Sequence, residues 1–349
     1  MISPHRKADV TFTWIRDLDE QGQFSKVYLA HDENLSHEIV IKQIEKKPEQ
    51  SRDQYFSEAS LLYKYAHPNI VQVQYAAEDT DNIYIAMPFY RSGTINQRLN
   101  IDNLTPREII RYAIQFIGGL HHIHTKKLMH FDIKPNNIML SNRDEAMLSD
   151  FGLSELVNDS LRARPQCAYY FHTPPEYFTK AKDEHFNYTF DIYQTGVTLY
   201  RMCIGNQRFK EEISVFQNVD ELAHSLNSGL FPARKYSSHI PKKLIAVINK
   251  CLEIDPNNRY QSCLDILNGL AAIKESDGAL DWREQRNVNG GTLEWNKEIE
   301  GAILQLTYDS NIKKALCYRV YPDGTRRKHG KASLDNCSTY KLYSILKEC

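Results

Sequence analysis

The stretch His130-Phe131-Asp132-Ile133-Lys134-Pro135-Asn136-Asn137, followed by Asp150-Phe151-Gly152, decides how the rest of this chain is read. Moving a phosphoryl group asks little covalent chemistry of a protein: a carboxylate to orient the attacking hydroxyl, divalent cations to neutralise phosphate charge, and ligands to hold them. Asp132 suits the first role, as acceptor of the hydroxyl proton, and Lys134 suits a position beside the moving group. Asn137 and Asp150 suit the last, because hard divalent cations prefer oxygen ligands. One short segment therefore carries a full set of parts for phosphoryl transfer.

The segment resembles the catalytic loop of protein kinases, whose pattern is His-Arg-Asp-Leu-Lys-Pro-x-Asn with Asp-Phe-Gly downstream. Phe131 stands where that family has Arg. The resemblance implies ATP as phosphoryl donor, Mg2+ as the metal with Mn2+ as the alternative, and a protein substrate. Lys134-Pro135 is more similar to the serine/threonine kinases than to the Ala-Ala-Arg of tyrosine kinases, and activity is expected to persist without phosphate on the activation segment, since no catalytic-loop guanidinium awaits one.

Other motifs follow in the family's order. Ile39-Val40-Ile41-Lys42 is similar to the Val-Ala-Ile-Lys strand, whose ammonium contacts the nucleotide phosphates, and Glu58, on the helix before His67-Pro68-Asn69-Ile70-Val71, is its implied partner. Glu20-Gln21-Gly22-Gln23-Phe24-Ser25-Lys26-Val27 keeps only the middle glycine of Gly-x-Gly-x-x-Gly-x-Val. Glycine permits close backbone approach to phosphate. Met87-Pro88-Phe89-Tyr90 resembles the hinge, where Pro88 offers adenine its carbonyl and Tyr90 offers backbone N–H and C=O. Gly22, Val27, Val40, Lys42, Glu58, Pro88 and Tyr90 are thus the implied nucleotide-binding residues.

Four residues carry implied structural roles. Glu176, in Thr173-Pro174-Pro175-Glu176, would close the activation segment by pairing with Arg259, and Asp191 resembles the buried helix aspartate that bonds the backbone of the catalytic loop, beside His130. A carboxylate and a guanidinium make a bidentate tie that suits a buried site. Ala168-Tyr169 aligns with the family's Gly-Thr, so the hydroxyl that bridges the positions of Asp132 and Lys134 is displaced or phenolic. A catalytically silent scaffold is the rival reading, supported by that departure and by the reduced glycine loop. A small-molecule kinase of aminoglycoside-phosphotransferase type conflicts with Pro174-Pro175-Glu176 and Arg259.

Composition agrees with a kinase-sized domain and something smaller, since 349 residues exceed one ordinary domain. With 43 Lys+Arg against 44 Asp+Glu, bulk charge argues against a nucleic-acid partner. Seven cysteines without a Cys-x-x-Cys pair favour free thiols in a reducing compartment, and the cytoplasm is the expected location. No run of about eighteen apolar residues suggests a membrane anchor.

Strand character at Val27-Tyr28-Leu29-Ala30 and Glu38-Ile39-Val40-Ile41-Lys42, with helical spacing over 55–65, precedes a long helix over 105–125 opened by Thr105-Pro106-Arg107-Glu108. Later helices are expected over 188–203, 241–253 and 262–274. The fold class is α+β: a two-lobed kinase-like fold over 10–275, with a small β-rich N-lobe (10–87), a larger α-helical C-lobe (91–275) and a small C-terminal α/β appendage (276–349). The appendage reads as strands over 302–308 and 315–321, a turn at Asp323-Gly324 before the basic Thr325-Arg326-Arg327-Lys328-His329, and a closing helix over 340–347. The basic residues read as a solvated hairpin end rather than a nucleic-acid site. A segment this short needs the kinase or a partner to cover its apolar side chains, and recruitment of a partner or target is its expected role.

Overall fold

The computed structural model describes residues 10–18, 26–46, 52–165, 169–181, 184–274, 276–285 and 292–349, and the side chains at 52–55, 57 and 58 lie outside that description. The chain begins with β1 (Phe12–Asp17), β2 (Lys26–Asp32), β3 (His37–Glu45), α1 (Arg52–Lys64), β4 (Tyr75–Glu78) and β5 (Asn82–Pro88). Its five strands form one antiparallel sheet in the order β1-β2-β3-β5-β4. Ile39, Val40 and Ile41 are buried in succession, which suits β-branched residues on a central strand covered on both faces. That strand ends the run at Lys42, flanked by Val27 of β2 and Ile85 of β5.

The second lobe contains α2 (Ile95–Ile101), α3 (Pro106–Thr125), the short strands β6 (Leu128–Met129), β7 (Ile138–Leu140), β8 (Ala146–Leu148) and β9 (Glu155–Leu156), then α4 (Glu176–Thr179), α5 (Thr189–Ile213), α6 (Val219–Asn227), α7 (Lys242–Cys251) and α8 (Cys263–Ala271). The start of α3 is a capping box: Thr105 Oγ1 accepts the Glu108 N–H at 3.2 Å, and Glu108 accepts the Thr105 N–H at 2.7 Å. Ile109, Ala113, Phe116, Leu120 and Ile123 then recur on the face that enters the core.

Helix α5 is buried on all sides from Thr189 to Asn206 and is the axis of this lobe. Its first stretch matches the 188–203 expected from sequence and stops at Gly205, whose φ of +79° breaks the helix before a second helical stretch continues to Ile213. Helices α2 and α6 were not among the expected elements. Both carry a cap signal in sequence, Thr94 with Gln97 for α2 and Asn218 for α6.

The C-terminal region adds β10 (Arg283–Glu284), β11 (Thr292–Ile299), β12 (Ala302–Asp309), β13 (Lys314–Val320), β14 (Arg326–Lys328) and α9 (Thr339–Glu348). The strands form an antiparallel sheet in chain order. Buried and less buried residues alternate along β12, and Trp282, Trp295, Leu306, Cys317, Leu342 and Leu346 make a separate core under α9. Strand β11 is absent from the sequence reading, since Glu294, Asn296 and Glu298 dilute its apolar signal.

This sheet is seated on the helical lobe. Trp295 Nε1 donates to His239 Nδ1 at 3.0 Å, and both side chains are buried. Arg283 donates to the Asn103 carbonyl at 2.5 Å and to Glu108 at 3.0 Å, while Arg107 reaches Asp281 at 2.6 Å. Arg208 pairs with Glu284. The apolar strands foreseen in the tail are covered by α9, Trp282 and Trp295, while Asp281, Arg283, Glu284 and Trp295 make the contacts to the helical lobe. Among the described residues no helix is long and apolar enough to cross a membrane, and the six described cysteines carry free thiols.

Burial, with a smaller contribution from Arg208, pushes the His239 imidazole down to about 3, so it stays neutral as the acceptor for Trp295. An unfolded histidine takes up a proton near pH 6.5. The stability from this site is therefore complete above about 6.5 and declines as pH falls toward 3, because the unfolded chain binds the extra proton. Between about pH 7.5 and 5, chemical denaturation of the full chain should lose up to roughly 2 kcal/mol more than that of His239→Gln, which keeps an acceptor but does not titrate. Parallel pH profiles for the two proteins would contradict this.

Candidate active site

The catalytic-loop backbone rests on one face of α5. Asp191 is fully buried, accepting the N–H groups of His130 at 2.9 Å and Phe131 at 2.8 Å and a bond from His124 Nε2 at 2.8 Å. Burial alone would push its carboxyl up, but the His124 bond and charge and the loop N–H groups outweigh that and hold it below the usual carboxylate range. Gln194 continues the contact: its amide donates to the Phe131 carbonyl at 2.8 Å and accepts the Ile133 N–H at 3.1 Å. Thr198 Oγ1 donates to the Ile133 carbonyl at 3.1 Å. Steps of three and four residues put Asp191, Gln194 and Thr198 on one helical face.

These bonds hold a strained backbone. Phe131 has φ +65°, a left-handed conformation that a bulky residue seldom adopts. Asp150 is also left-handed, at φ +60°. Phe151 beyond it is buried, its ring edge-on to His130 with centroids 4.9 Å apart. Burial pushes the His130 imidazole down, and its contacts fit a neutral ring, with Nε2 donating to the Ser149 carbonyl at 3.1 Å and Nδ1 facing the Asp132 N–H at 3.3 Å.

Asp132, Lys134 and Asn137 come together. Asp132 Oδ2 accepts both the Lys134 ammonium and the Asn137 amide at 2.7 Å. Its other oxygen, Oδ1, is buried and has no hydrogen-bond partner among the described residues. A buried acceptor in that state costs free energy unless an incoming donor completes it. Because the Asn137 Nδ2 is spent on Asp132, its amide oxygen is left as the ligand-type atom.

Lys42 reaches across from β3 to Asp150 Oδ1 at 3.2 Å. Burial by itself would raise the Asp150 carboxyl, yet the Lys42 ammonium holds it below its ordinary value. The carboxylate remains 45% exposed. An exposed carboxylate and an amide oxygen are hard donors that fit a divalent cation bound together with phosphates. Asn137 and Asp150 are the residues that would hold it.

The other expected nucleotide residues divide into two groups. Val40 is buried on β3 opposite Met87, Val27 stands opposite Lys42, and Pro88 ends β5 opposite Ile39. The Tyr90 carbonyl accepts the Gly93 N–H at 3.0 Å, so the turn after the hinge already uses one of the two backbone groups expected to meet adenine. Gly22 and the side chain of Glu58 lie outside the described residues, although Glu58 falls within α1.

Farther out, Arg259 and Glu176 make the bidentate pair anticipated from sequence, with both bonds at 2.7 Å and Arg259 buried. Arg259 also donates to the carbonyls of Glu253, Thr189 and Ile254 at 2.7, 3.0 and 3.0 Å. Tyr169 answers the open question left by the missing threonine: its ring, not a hydroxyl, faces Lys134, with the ammonium 5.1 Å from the centroid. Sequence reasoning missed Gln194 and Thr198. Polar residues at helical spacing from Asp191, on a segment otherwise apolar, were the available signal.

The sequence also matches known proteins. A family model described as the protein kinase domain matches residues 20–269. The chain is 30% identical over 246 residues to the human serine/threonine-protein kinase Nek5, covering 68% of this chain and 33% of that protein. It is 27% identical over 263 residues to a probable serine/threonine-protein kinase of Clostridium perfringens, covering 73% and 37% respectively. An Arabidopsis thaliana serine/threonine-protein kinase, AtPK2/AtPK19, is 28% identical over 238 residues, covering 62% and 50%. The chain thus spans about a third of the length of the first two relatives.

Replacing Asp191 by Ala would leave two buried amide N–H groups and His124 without their acceptor. Loss of a buried charged partner of this kind costs about 3–5 kcal/mol. Denaturant titration of Asp191→Ala should show that loss, and Asp191→Asn, which keeps one acceptor, a smaller one. A midpoint unchanged in both variants would show that the loop does not depend on this carboxylate.

Proposed function

This chain belongs to the protein kinase domain family, and from that premise we propose that it transfers the γ-phosphoryl group of ATP to serine or threonine hydroxyls of protein substrates. The observation that carries this reading is the unpartnered Asp132 Oδ1, buried beside Lys134 and Asn137 and oriented by both through the other oxygen. A substrate hydroxyl that donates to Oδ1 gains an acceptor while its oxygen turns to the phosphoryl group. Lys134 keeps a positive charge beside that oxygen, and the Tyr169 ring limits where the ammonium can move. Lys42 orients phosphates from the opposite side of the cleft, with Glu58 as its proposed partner. Bound through Asn137 and Asp150, a magnesium ion, or manganese in its place, supplies charge neutralisation on the phosphates.

Residues 10–275 form the catalytic domain in this proposal, with lobes at 10–87 and 91–275, and 276–349 are an appendage that regulates or recruits. In this reading the site uses ATP and magnesium, so the reaction is expected to take place wherever both are plentiful, the cytoplasm first.

Independence from activation-segment phosphorylation is part of the same reading. Phe131 packs edge-on against Phe190, with centroids 5.0 Å apart, in a buried cluster with Met129, Ala163 and Phe186. Ala163 and Phe186 also exchange backbone hydrogen bonds of 2.9 and 2.7 Å. Apolar burial thereby supports this part of the activation segment, in the place where an arginine would need a phosphate to neutralise it.

Two measurements test the proposal. With labelled ATP, magnesium and a generic protein substrate, Asp132→Asn should lower phosphate incorporation by roughly 10²- to 10⁴-fold, the usual contribution of a positioned base. Equal incorporation by parent and variant would overturn the assignment and favour the scaffold. Phosphatase treatment of the parent protein should leave most of its activity, and complete loss would show that a phosphorylated residue does organise the segment.

A further inference from the structure

The hairpin of β13 and β14 carries a charge arrangement that folding does not explain. Arg319 and Arg327 stand directly opposite each other across the ladder. Like charges so placed destabilise a sheet. Arg326 and Lys328 flank Arg327 on β14, and all three residues of that strand are exposed. Among the described residues of the appendage, Arg283, Lys314 and Lys347 find carboxylates, and none of the four hairpin cations does. The Arg327 guanidinium instead lies 5.5 Å from the centre of the Tyr321 ring.

Among the described residues, strand β14 is also an open edge of its sheet. His329 donates its N–H to the Cys317 carbonyl at 2.8 Å, and Tyr321 donates to Thr325 at 2.9 Å. Bonded pairs alternate along an antiparallel ladder, so Arg319 and Arg327 form the bonded pair between these two. Arg326 and Lys328 consequently turn their N–H and C=O groups toward the open edge. A single cation is enough to discourage unwanted strand pairing. Two facing arginines add a repulsion that an anionic neighbour would relieve.

We propose that this edge docks an acidic, extended segment of a protein substrate, which pairs along β14 and places carboxylates among Arg319, Arg326, Arg327 and Lys328. That the docked protein is a substrate rests on the kinase reading above. Backbone hydrogen bonds supply affinity in such strand addition, and the charges choose the partner. Because Trp295 and Arg283 seat the sheet on the helical lobe, a docked chain shares a frame with the catalytic loop. Its phosphoacceptor is then present at a raised effective concentration.

The test begins with a fluorescein-labelled peptide of repeating Glu-Glu-Val, which carries carboxylates on both faces of an added strand, titrated with the full-length chain in the absence of nucleotide. Anisotropy should report binding that weakens with salt. The variant Arg319→Gln/Arg327→Gln/Lys328→Gln should bind at least about tenfold more weakly, the equivalent of roughly 1.4 kcal/mol. Its melting temperature should equal or exceed that of the parent, because the repulsion is gone, so a folding defect would not be mistaken for lost docking. The proposal is overturned if the parent binds a Ser/Val control peptide equally well, or if the variant keeps full affinity. Tighter binding of a single-stranded oligonucleotide of the same charge would overturn it too, by assigning the edge to nucleic acid. No catalysis enters this readout, so an inactive enzyme would sink the kinase reading without touching the docking result. Fusing the peptide to a generic substrate should then raise kcat/KM about tenfold or more for the parent alone, and an active, peptide-binding enzyme that shows no such gain would refute the substrate role.

Discussion

The catalytic loop depends on a charge kept away from water. Asp191 has no solvent contact, and a buried carboxylate is tolerable only when its acceptor capacity is filled. Here it is filled by two loop amides and His124. Their bonds do more than satisfy the carboxylate: they hold His130 and Phe131 in a conformation that an isolated peptide would leave. Since α5 is itself packed on every side, displacing Asp191 means moving a helix through the core. The positions of Asp132, Lys134 and Asn137 follow from that anchorage.

A second constraint is apolar and acts on the activation segment. Phe131 is one residue from Asp132 but points into the cluster of Met129, Ala163, Phe186 and Phe190. A guanidinium at this position would be a buried cation in search of a partner. An aromatic ring needs only packing, available as soon as the lobe folds. The same residue thus ties the loop that carries Asp132 to a distant segment.

The C-terminal sheet illustrates how size limits autonomy. Its own core is small, built around Trp282 and Trp295 under α9, and domains of this length bury too little to be generously stable alone. Part of its surface is covered by the helical lobe, with Trp295 bonded to His239 and Arg283 reaching the first turn of α3. Docking fixes which surfaces stay open. The edge at β14 faces away from these contacts in the sheet order, at the opposite side from β10.

The sequence by itself determined the fold class and which polar residues meet in the cleft, because those signals are local. His130 to Asn137 and Asp150 to Gly152 carry their proposed roles in residue type and short spacing, the β-branched run before Lys42 marks a central strand, and Thr105 to Glu108 mark the start of α3. Only the tertiary structure decided what meets what across long separations. Gln194 touches a loop 61 residues away, Tyr169 offers Lys134 a ring instead of a hydroxyl, and Trp295 finds His239 56 residues upstream. Nothing in a linear pattern records such pairings, since they exist only once α5 is buried and the sheet is seated. The physical reason is that spacing reports the forces along one element, whereas burial and partner choice are properties of several elements packed together.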